Sequence, residues 1–438
     1  MERRNICIIG AGISGISVCK FLKQKGITDF ECFELSDTIG GNWAFKNKNG
    51  MSSAYRSLHI DTSKEKLQFD DYPMPAAYPA FCHHTQIFAY FQDVVKHFGL
   101  EPHIHLNTAV RNASRTEEGL WNITLSTGKA YLYKYLVVAN GHHWNPAWPE
   151  FEGTFSGQVL HSHNYIDPFD PIDMRDKRVL VVGFGNSAVD IACELSNKSL
   201  AKQLTVSTRR GAWVVPKYIF GKPVDQAVHT MKYIPLKWQR KAAGLFLKLL
   251  VGKMETYGLP KPDHNVLEAH PTVSSEFLYK AGTGDIKVKP NIRWLDGATV
   301  HFVDGTSGEF DVIIYATGYK IKFPFFDQSF LNPGHNQLRL FKRVFLPEYH
   351  NLMFIGFAQA VPSLIRFIQD QARFVGAYLA GEYRLPSKEE MIAIIEKDER
   401  THVGHFVKSD RHTMQIEHST YLWDLEREMK KRRVRPVP

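Results

Sequence analysis

The stretch NICIIGAGISGISVCKFL, Asn5 to Leu22, decides the fold. Four apolar residues, Ile6 to Ile9, read as a buried strand, and from Ile13 and Ser14 onward apolar residues recur at helical spacing. Gly10, Gly12 and Gly15 lie at the junction. In a strand–turn–helix unit the first glycine permits the sharp turn. The second lets a pyrophosphate approach the backbone, the third lets the helix lie close to the strand, and the phosphate faces unpaired N–H groups at the helix N-terminus. The next strand, FECFE, ends in Glu34, nineteen residues past Gly15, where an acid would meet ribose hydroxyls.

The same plan recurs in RVLVVGFGNSAVDIACEL, Arg178 to Leu195. Val179 to Val182 form the strand, and Gly183, Gly185 and Ala188 hold the three small positions. Asn186 and Ser187 open the helix. The strand after that helix ends without an acid: LTVSTRRGAW carries Ser207, Thr208, Arg209 and Arg210. Hydroxyls and guanidinium groups suit a 2′-phosphate, which a carboxylate would repel, so the second nucleotide is predicted to be NADPH. Two dinucleotide sites in one chain imply electron transfer between two cofactors. FAD is the natural acceptor of the hydride that NADPH gives up.

At 438 residues the chain exceeds one ordinary core, and 44% hydrophobic with 23% charged residues is globular composition. The net charge of +9 owes much to one tail, KKRRVR, Lys430 to Arg435, which reads as a solvated end or a polybasic contact. Scattered aromatics with no basic groove exclude nucleic acid. The five cysteines, Cys7, Cys19, Cys32, Cys82 and Cys193, are odd in number and show no C-x-x-C spacing, and three lie in apolar strand or helix patterns as small buried hydrophobes, which predicts a reducing compartment. MERR runs directly into a strand and no stretch reaches the length of a membrane span, which predicts a cytoplasmic chain. FCHH and GHHW lack paired ligand spacing, and no metal is expected.

HIHLNTAVRNAS and LWNITLSTGKAYLYKYLVVANG alternate as antiparallel strands do, and IFAYFQDVVKHFGL sets Phe88, Phe91, Val95 and Phe98 on one helical face. KWQRKAAGLFLKLLVGK places Trp238, Ala242, Leu245 and Leu249 on another, flanked by Lys and Arg. Two readings of that face stay open, a peripheral membrane helix and a core or docking helix.

FSGQVLHSHNY, Phe155 to Tyr165, lies between the two nucleotide motifs. With Phe155, Gly157, His161 and Tyr165 it resembles the F-x-G-x-x-x-H-x-x-x-Y fingerprint of class B flavin-containing monooxygenases. IGGNW (Ile39 to Trp43), DTSKE (Asp61 to Glu65), RRGAW, ATGY (Ala316 to Tyr319) and QAR (Gln371 to Arg373) are also similar to that family, over about residues 4 to 390.

The resemblance implies an α/β fold of two Rossmann-like domains: an FAD domain in two parts, 1–168 and 306–438, and an inserted NADPH domain, 169–305. It implies that FAD meets Gly10, Gly12, Ile13, Ser14, Gly15, Glu34, Gly41, Asn42, Trp43 and Thr62. NADPH would meet Gly183, Gly185, Asn186, Ser187, Ser207, Thr208 and Arg209, with Thr317, Gly318 and Gln371 also at the cofactors. His161 and Tyr165 would hold a hinge. The implied reaction is oxygenation of an amine nitrogen or sulfide sulfur of a small molecule by a flavin C4a-hydroperoxide formed from O₂.

One residue departs from the pattern. Asp61 stands where the family has Asn, and an ionised Asp can only accept hydrogen bonds. That keeps an NADPH oxidase or redox-sensing flavoprotein in view. Tyr165-Ile166, where Baeyer–Villiger enzymes typically have Trp-Pro, disfavours ketone oxidation without excluding it. A homodimer is a further open expectation.

Overall fold

The computed structural model describes residues 1–227, 236–266, 268–269, 271–361, 363–400, 414–432 and 434. The chain is mixed α/β and divides into two compact units: 1–52, 64–145 and 320–438, and 53–63 with 146–319.

The first unit is built on a seven-stranded sheet. Arg3–Ile9 runs parallel between Phe30–Phe33 and Ala130–Val138. Short Ile104–His105 extends the sheet beyond Phe30–Phe33. Beyond Ala130–Val138 lie the antiparallel strands Trp121–Leu125 and Val110–Arg115, and Leu352–Phe354 adds a parallel strand. The central strands are buried on both faces, as parallel sheets require, which explains their continuous apolar runs. Cys7, Ile9, Leu136, Val138, Trp121 and Phe354 share one core.

Helix Ile13–Gln24 follows the first glycine turn, and helix Leu364–Leu379 packs against it. The helix expected from IFAYFQDVVKHFGL spans His84–His97, but its buried face is Ile87, Tyr90, Phe91, Val94 and Val95. Phe88 and Phe98 are only half-buried because the face is turned by about one residue. Phe88 instead covers Gly40, where an added Cβ would lie 2.9 Å from its ring.

The second unit holds a five-stranded sheet in the order Lys287–Lys289, Gln203–Ser207, Arg178–Val182, Val312–Tyr315, Gln158–His161. Every pairing is parallel. Helix Asn186–Leu195 follows the second glycine turn and buries Ala188, Val189, Ile191, Ala192 and Leu195.

The boundaries expected at 168/169 and 305/306 therefore shift. Gln158–His161 and Val312–Tyr315 complete the second sheet, so 146–168 and 306–319 belong to it, as does the segment 53–63. Strand pairing between segments far apart in the chain sets these boundaries. All five cysteines are free and buried. Among the described residues no helix is long and apolar enough to cross a membrane.

Candidate functional site

The first glycine turn leaves no room for side chains. Gly10 has φ +99°, and a Cβ there would come 2.7 Å from the Ala139 carbonyl oxygen; at Gly15 it would come 1.9 Å from the Gly10 carbonyl oxygen. Gly12 is the N-cap of helix Ile13–Gln24 with no side-chain cap, so the first-turn N–H groups have no capping side chain. Gly12 faces Gly41, whose Cα would lie 3.6 Å from a Gly12 Cβ. Two bare backbones opposite an uncapped, positively polarised helix end form a cradle for an anion.

Glu34 is buried, and its carboxylate accepts from the N–H groups of Ala11, at 2.7 Å, and Ser36, at 2.8 Å. Burial raises its pKa while those bonds oppose the shift. Asn42 and Trp43 follow Gly41 in a short 3₁₀ turn. Gln371 is fully buried: its Oε1 accepts from Gly356 N at 2.9 Å and its Nε2 donates to the Arg343 carbonyl at 2.7 Å. Its amide fixes two turns of the first unit.

The second turn repeats the steric logic. Gly183 has φ +124°, and a Cβ would come 2.4 Å from the Ala316 carbonyl oxygen. Gly185 caps helix Asn186–Leu195 without a side-chain bond. Ser187 is exposed in the first turn, and Asn186 Oδ1 accepts from Val273 N at 3.0 Å. Of the residues expected to read the nucleotide, two are occupied: Ser207 Oγ donates to the Pro290 carbonyl and Thr208 Oγ1 to the Arg210 carbonyl, at 2.7 and 2.6 Å. Arg210 lies 3.7 Å from Asp263. Arg209 is exposed at the strand end.

The fingerprint residues pack within the second unit. A Cβ on Gly157 would meet the Phe155 ring and the Asp311 carbonyl oxygen at 2.6 Å. His161 Nδ1 accepts from His163 N at 3.1 Å, and the rings of Trp148 and Tyr319 stand edge-on to His161. Burial pushes the His161 imidazole down to about 4, so it is neutral. Thr317 Oγ1 donates to the Ala147 carbonyl at 2.6 Å, and Gly318 holds a left-handed turn at φ +86°.

Asp61 and Thr62 lie in the second unit, beside the helix Asn186–Leu195. Asp61 Oδ1 is sealed from water and stands 3.5 Å from Lys217 Nζ, while the side chain as a whole keeps 23% of its surface. Burial first, and then the nearby Asp190 carboxylate, raise the Asp61 pKa from 3.8 to about 7, against the pull of Lys217 and Asn186. Asp190 is itself raised by burial and accepts from Tyr55 OH at 2.6 Å. One helical turn on, Glu194 accepts from Tyr165 OH at 2.7 Å. Tyr165 is completely buried, its ring edge-on to Tyr55 at 6.2 Å. The sequence reading missed Lys217, Asp190 and Tyr55. The only available signal was Asp190 and Glu194 at i, i+4 on an otherwise apolar helix face.

The family model described as FMO-like, flavin-binding monooxygenase-like, matches residues 3–434. The chain belongs to that family. Flavin-containing monooxygenase 5 of Homo sapiens is 35% identical over 438 residues, covering 95% of this chain and 80% of the human protein. Dimethylaniline monooxygenase [N-oxide-forming] 2 of Rattus norvegicus is 34% identical, covering 97% and 82%. Among solved structures, an oxidised steroid monooxygenase bound to NADP has a TM-score of 0.73 at 17% identity, covering 98% of each chain, a likeness of fold. This flavin-binding monooxygenase is thus an oxidoreductase that uses O₂ on a small-molecule substrate, and both glycine turns and the Asp61 cluster lie within the matched span.

Proposed function

We propose that this chain is an FAD- and NADPH-dependent monooxygenase that oxygenates soft nucleophiles, amine nitrogen or sulfide sulfur. The observation that carries the reading is the pair of side-chain-free glycine turns, each opening an uncapped helix at the end of a parallel strand. The first turn fits a flavin dinucleotide: Gly10, Gly12 and Gly15 would give the pyrophosphate backbone access, and Glu34, which holds the Ala11 and Ser36 N–H groups, would meet the ribose. The second fits NADPH: Gly183 and Gly185 admit its pyrophosphate, and exposed Arg209 is the cation available to a 2′-phosphate. Bound flavin supplies the redox centre that takes a hydride from the nicotinamide and activates O₂.

The chain's own acid–base contribution is the Asp61–Lys217 pair. Protonated, Asp61 donates a hydrogen bond as the family's Asn would. Ionised, it is an acceptor held by Lys217. A donor supports oxygen transfer and a bare charge disfavours it. A second reading, an NADPH oxidase that releases peroxide, is favoured by the ionised form, which predominates above pH 7.

The test is stoichiometric. Purified protein should carry about one FAD per chain, as one flavin-type turn implies. With thioanisole or N,N-dimethylaniline as probes, NADPH consumed should match S- or N-oxide formed near pH 6. Peroxide in place of oxide at every pH would establish the oxidase. Protein that cannot retain FAD would end both readings.

A further inference from the structure

Buried polar groups in folded proteins are paired with few exceptions, and a buried amide with nothing to bond carries a desolvation cost that only a partner offsets. In the first unit two glutamines break the rule side by side. Strand Gln359–Val361 runs parallel to Gln415–Glu417, with Gln359 and Gln415 directly in register and Gln359 N donating to the Met414 carbonyl at 2.8 Å. Residues in register send their side chains to one face of the ribbon. Gln415 is 1% exposed, and neither its Oε1 nor its Nε2 has a hydrogen-bond partner among the described residues. Exchanging the two atoms of that amide changes nothing, since both are open. Gln359 is half-buried, and its Oε1 is likewise sealed from water and unpartnered.

The pair adjoins the first glycine turn. Three residues before Gln359, Gly356 lies against the opening turn of helix Ile13–Gln24: a Cβ on it would come 2.3 Å from Ser14 Oγ. The Gly356 N–H donates to Gln371 Oε1, which fixes the start of the segment. Three residues of extended chain span at most about 11 Å, so the open amides stand within a small molecule's length of that turn.

Their chemistry selects a partner. The open atoms are two acceptors, Gln359 Oε1 and Gln415 Oε1, and one donor group, Gln415 Nε2. A primary carboxamide is the complement, with two N–H donors and one carbonyl. A hydroxyl has a single O–H to set against two acceptors. A carboxylate has no N–H at all, and neither strand offers it a cation: the one charge on them is Glu417, which accepts from Ser419 and Thr420 N at the start of helix His418–Lys431. An anion buried there would be uncompensated.

We propose that Gln359 and Gln415 form a recognition site for a primary carboxamide, and that the preferred sulfide or amine carries this group. The proposal rests on the monooxygenase reading above and adds the substrate's polar handle to it. A site that hydrogen-bonds a substrate group rejects the analogue without it more strongly than an apolar pocket separates shapes, because the buried amides are then left open.

The test uses full-length flavin-loaded protein and two sulfides of one shape, 3-(methylthio)propanamide and isopentyl methyl sulfide, in which an isopropyl group replaces the carboxamide. NADPH-dependent sulfoxide formation should favour the amide at least about tenfold in kcat/KM, mainly through KM. Gln415→Leu and, at the half-buried position, Gln359→Leu should each remove about tenfold of that preference, while kcat on the isopentyl sulfide and FAD content stay as in wild type. Thermal unfolding reads binding without turnover. The amide at about ten times its Kd should raise the wild-type Tm by about 3–6 °C and leave Gln415→Leu unmoved. Without substrate, Gln415→Leu should melt about 2–4 °C above wild type, because an apolar side chain replaces an open buried amide.

A wild type that binds both sulfides equally would overturn the proposal. So would a Gln415→Leu variant that melts below wild type and keeps the amide preference, since the glutamines would then belong to the fold. FAD lost from both variants would overturn it too, by assigning the amides to the cofactor. Absence of sulfoxide from either probe would count against the monooxygenase reading instead, and the Tm shift with the amide would still decide the site.

Discussion

Replacing Asp61 with Asn tests the site most directly. Folding carries Asp61 from a pKa of 3.8 to about 7, chiefly because its charged form loses water and faces Asp190. The sign follows from proton counting. The native state holds the proton more tightly than the unfolded chain. Asp61 therefore destabilises the protein progressively as pH rises from 3.8 to about 7, and the penalty is constant above that. At about 1.4 kcal/mol per pKa unit, the shift sets a ceiling of roughly 4 kcal/mol. Residual solvent at the carboxyl and a neighbouring carboxylate, Asp190, that itself titrates lower it, and half the ceiling corresponds to a shift in Tm of about 4–8 °C for a unit of this size. Asp61→Asn should thus melt several degrees above wild type at pH 8 and together with it at pH 4.

The functional assay measures peroxide released per NADPH oxidised, with a sulfide present. Wild-type Asp61 is about 10% ionised at pH 6 and about 90% at pH 8, so peroxide release should climb through pH 7. The Asn variant should stay low and flat. Lys217→Met removes the cation that favours the ionised form and should move the midpoint upward. A wild-type profile without a step near pH 7, combined with more peroxide from Asp61→Asn, would refute the reasoning: the carboxylate would then have a productive role of its own.

Arg209→Ala should erode the preference for NADPH over NADH by about 10- to 100-fold in the NADPH-side KM while leaving FAD content unchanged, the worth of one charge-assisted contact. Gly10→Ala should cost at least about 2 kcal/mol and lose flavin, whereas Gly26→Ala should cost only about 1 kcal/mol of backbone strain. Both have positive φ, but only Gly10 would push a Cβ against backbone, while Gly26 faces open space. Tyr165→Phe removes a buried donor to Glu194 and should destabilise by about 1–3 kcal/mol in thermal unfolding. Burial raises the Glu194 pKa, so the loss should grow as pH rises and Glu194 ionises.

The strand–glycine–helix units were legible in the sequence because sterics alone impose them. No residue with a Cβ fits beside the Ala139 carbonyl or the Ala316 carbonyl, so the pattern of glycines reports the backbone's path. The same local logic misplaced the unit boundaries, since nothing near Gln158–His161 or Val312–Tyr315 says which sheet they join. That is decided by pairing partners far apart in the chain.

The strand end expected to read a nucleotide in the second unit shows a different limit. Ser207, Thr208 and Arg209 look equivalent as residue types, yet the two hydroxyls are spent on carbonyls and only Arg209 is left exposed at the strand end. Composition lists donors; geometry decides which remain available.

Asp61 stood out by its residue type, but its meaning lay in Lys217 and Asp190, which come from 156 and 129 residues downstream. A substitution of Asp for Asn at a buried site is a charge problem, and the chain answers it with one cation at 3.5 Å and a second carboxylate that keeps the first from ionising early. Burial raises the pKa most, Asp190 adds to that rise, and Lys217 opposes both. Together they leave Asp61 poised near neutral pH, where a small change in proton activity changes what the group can do.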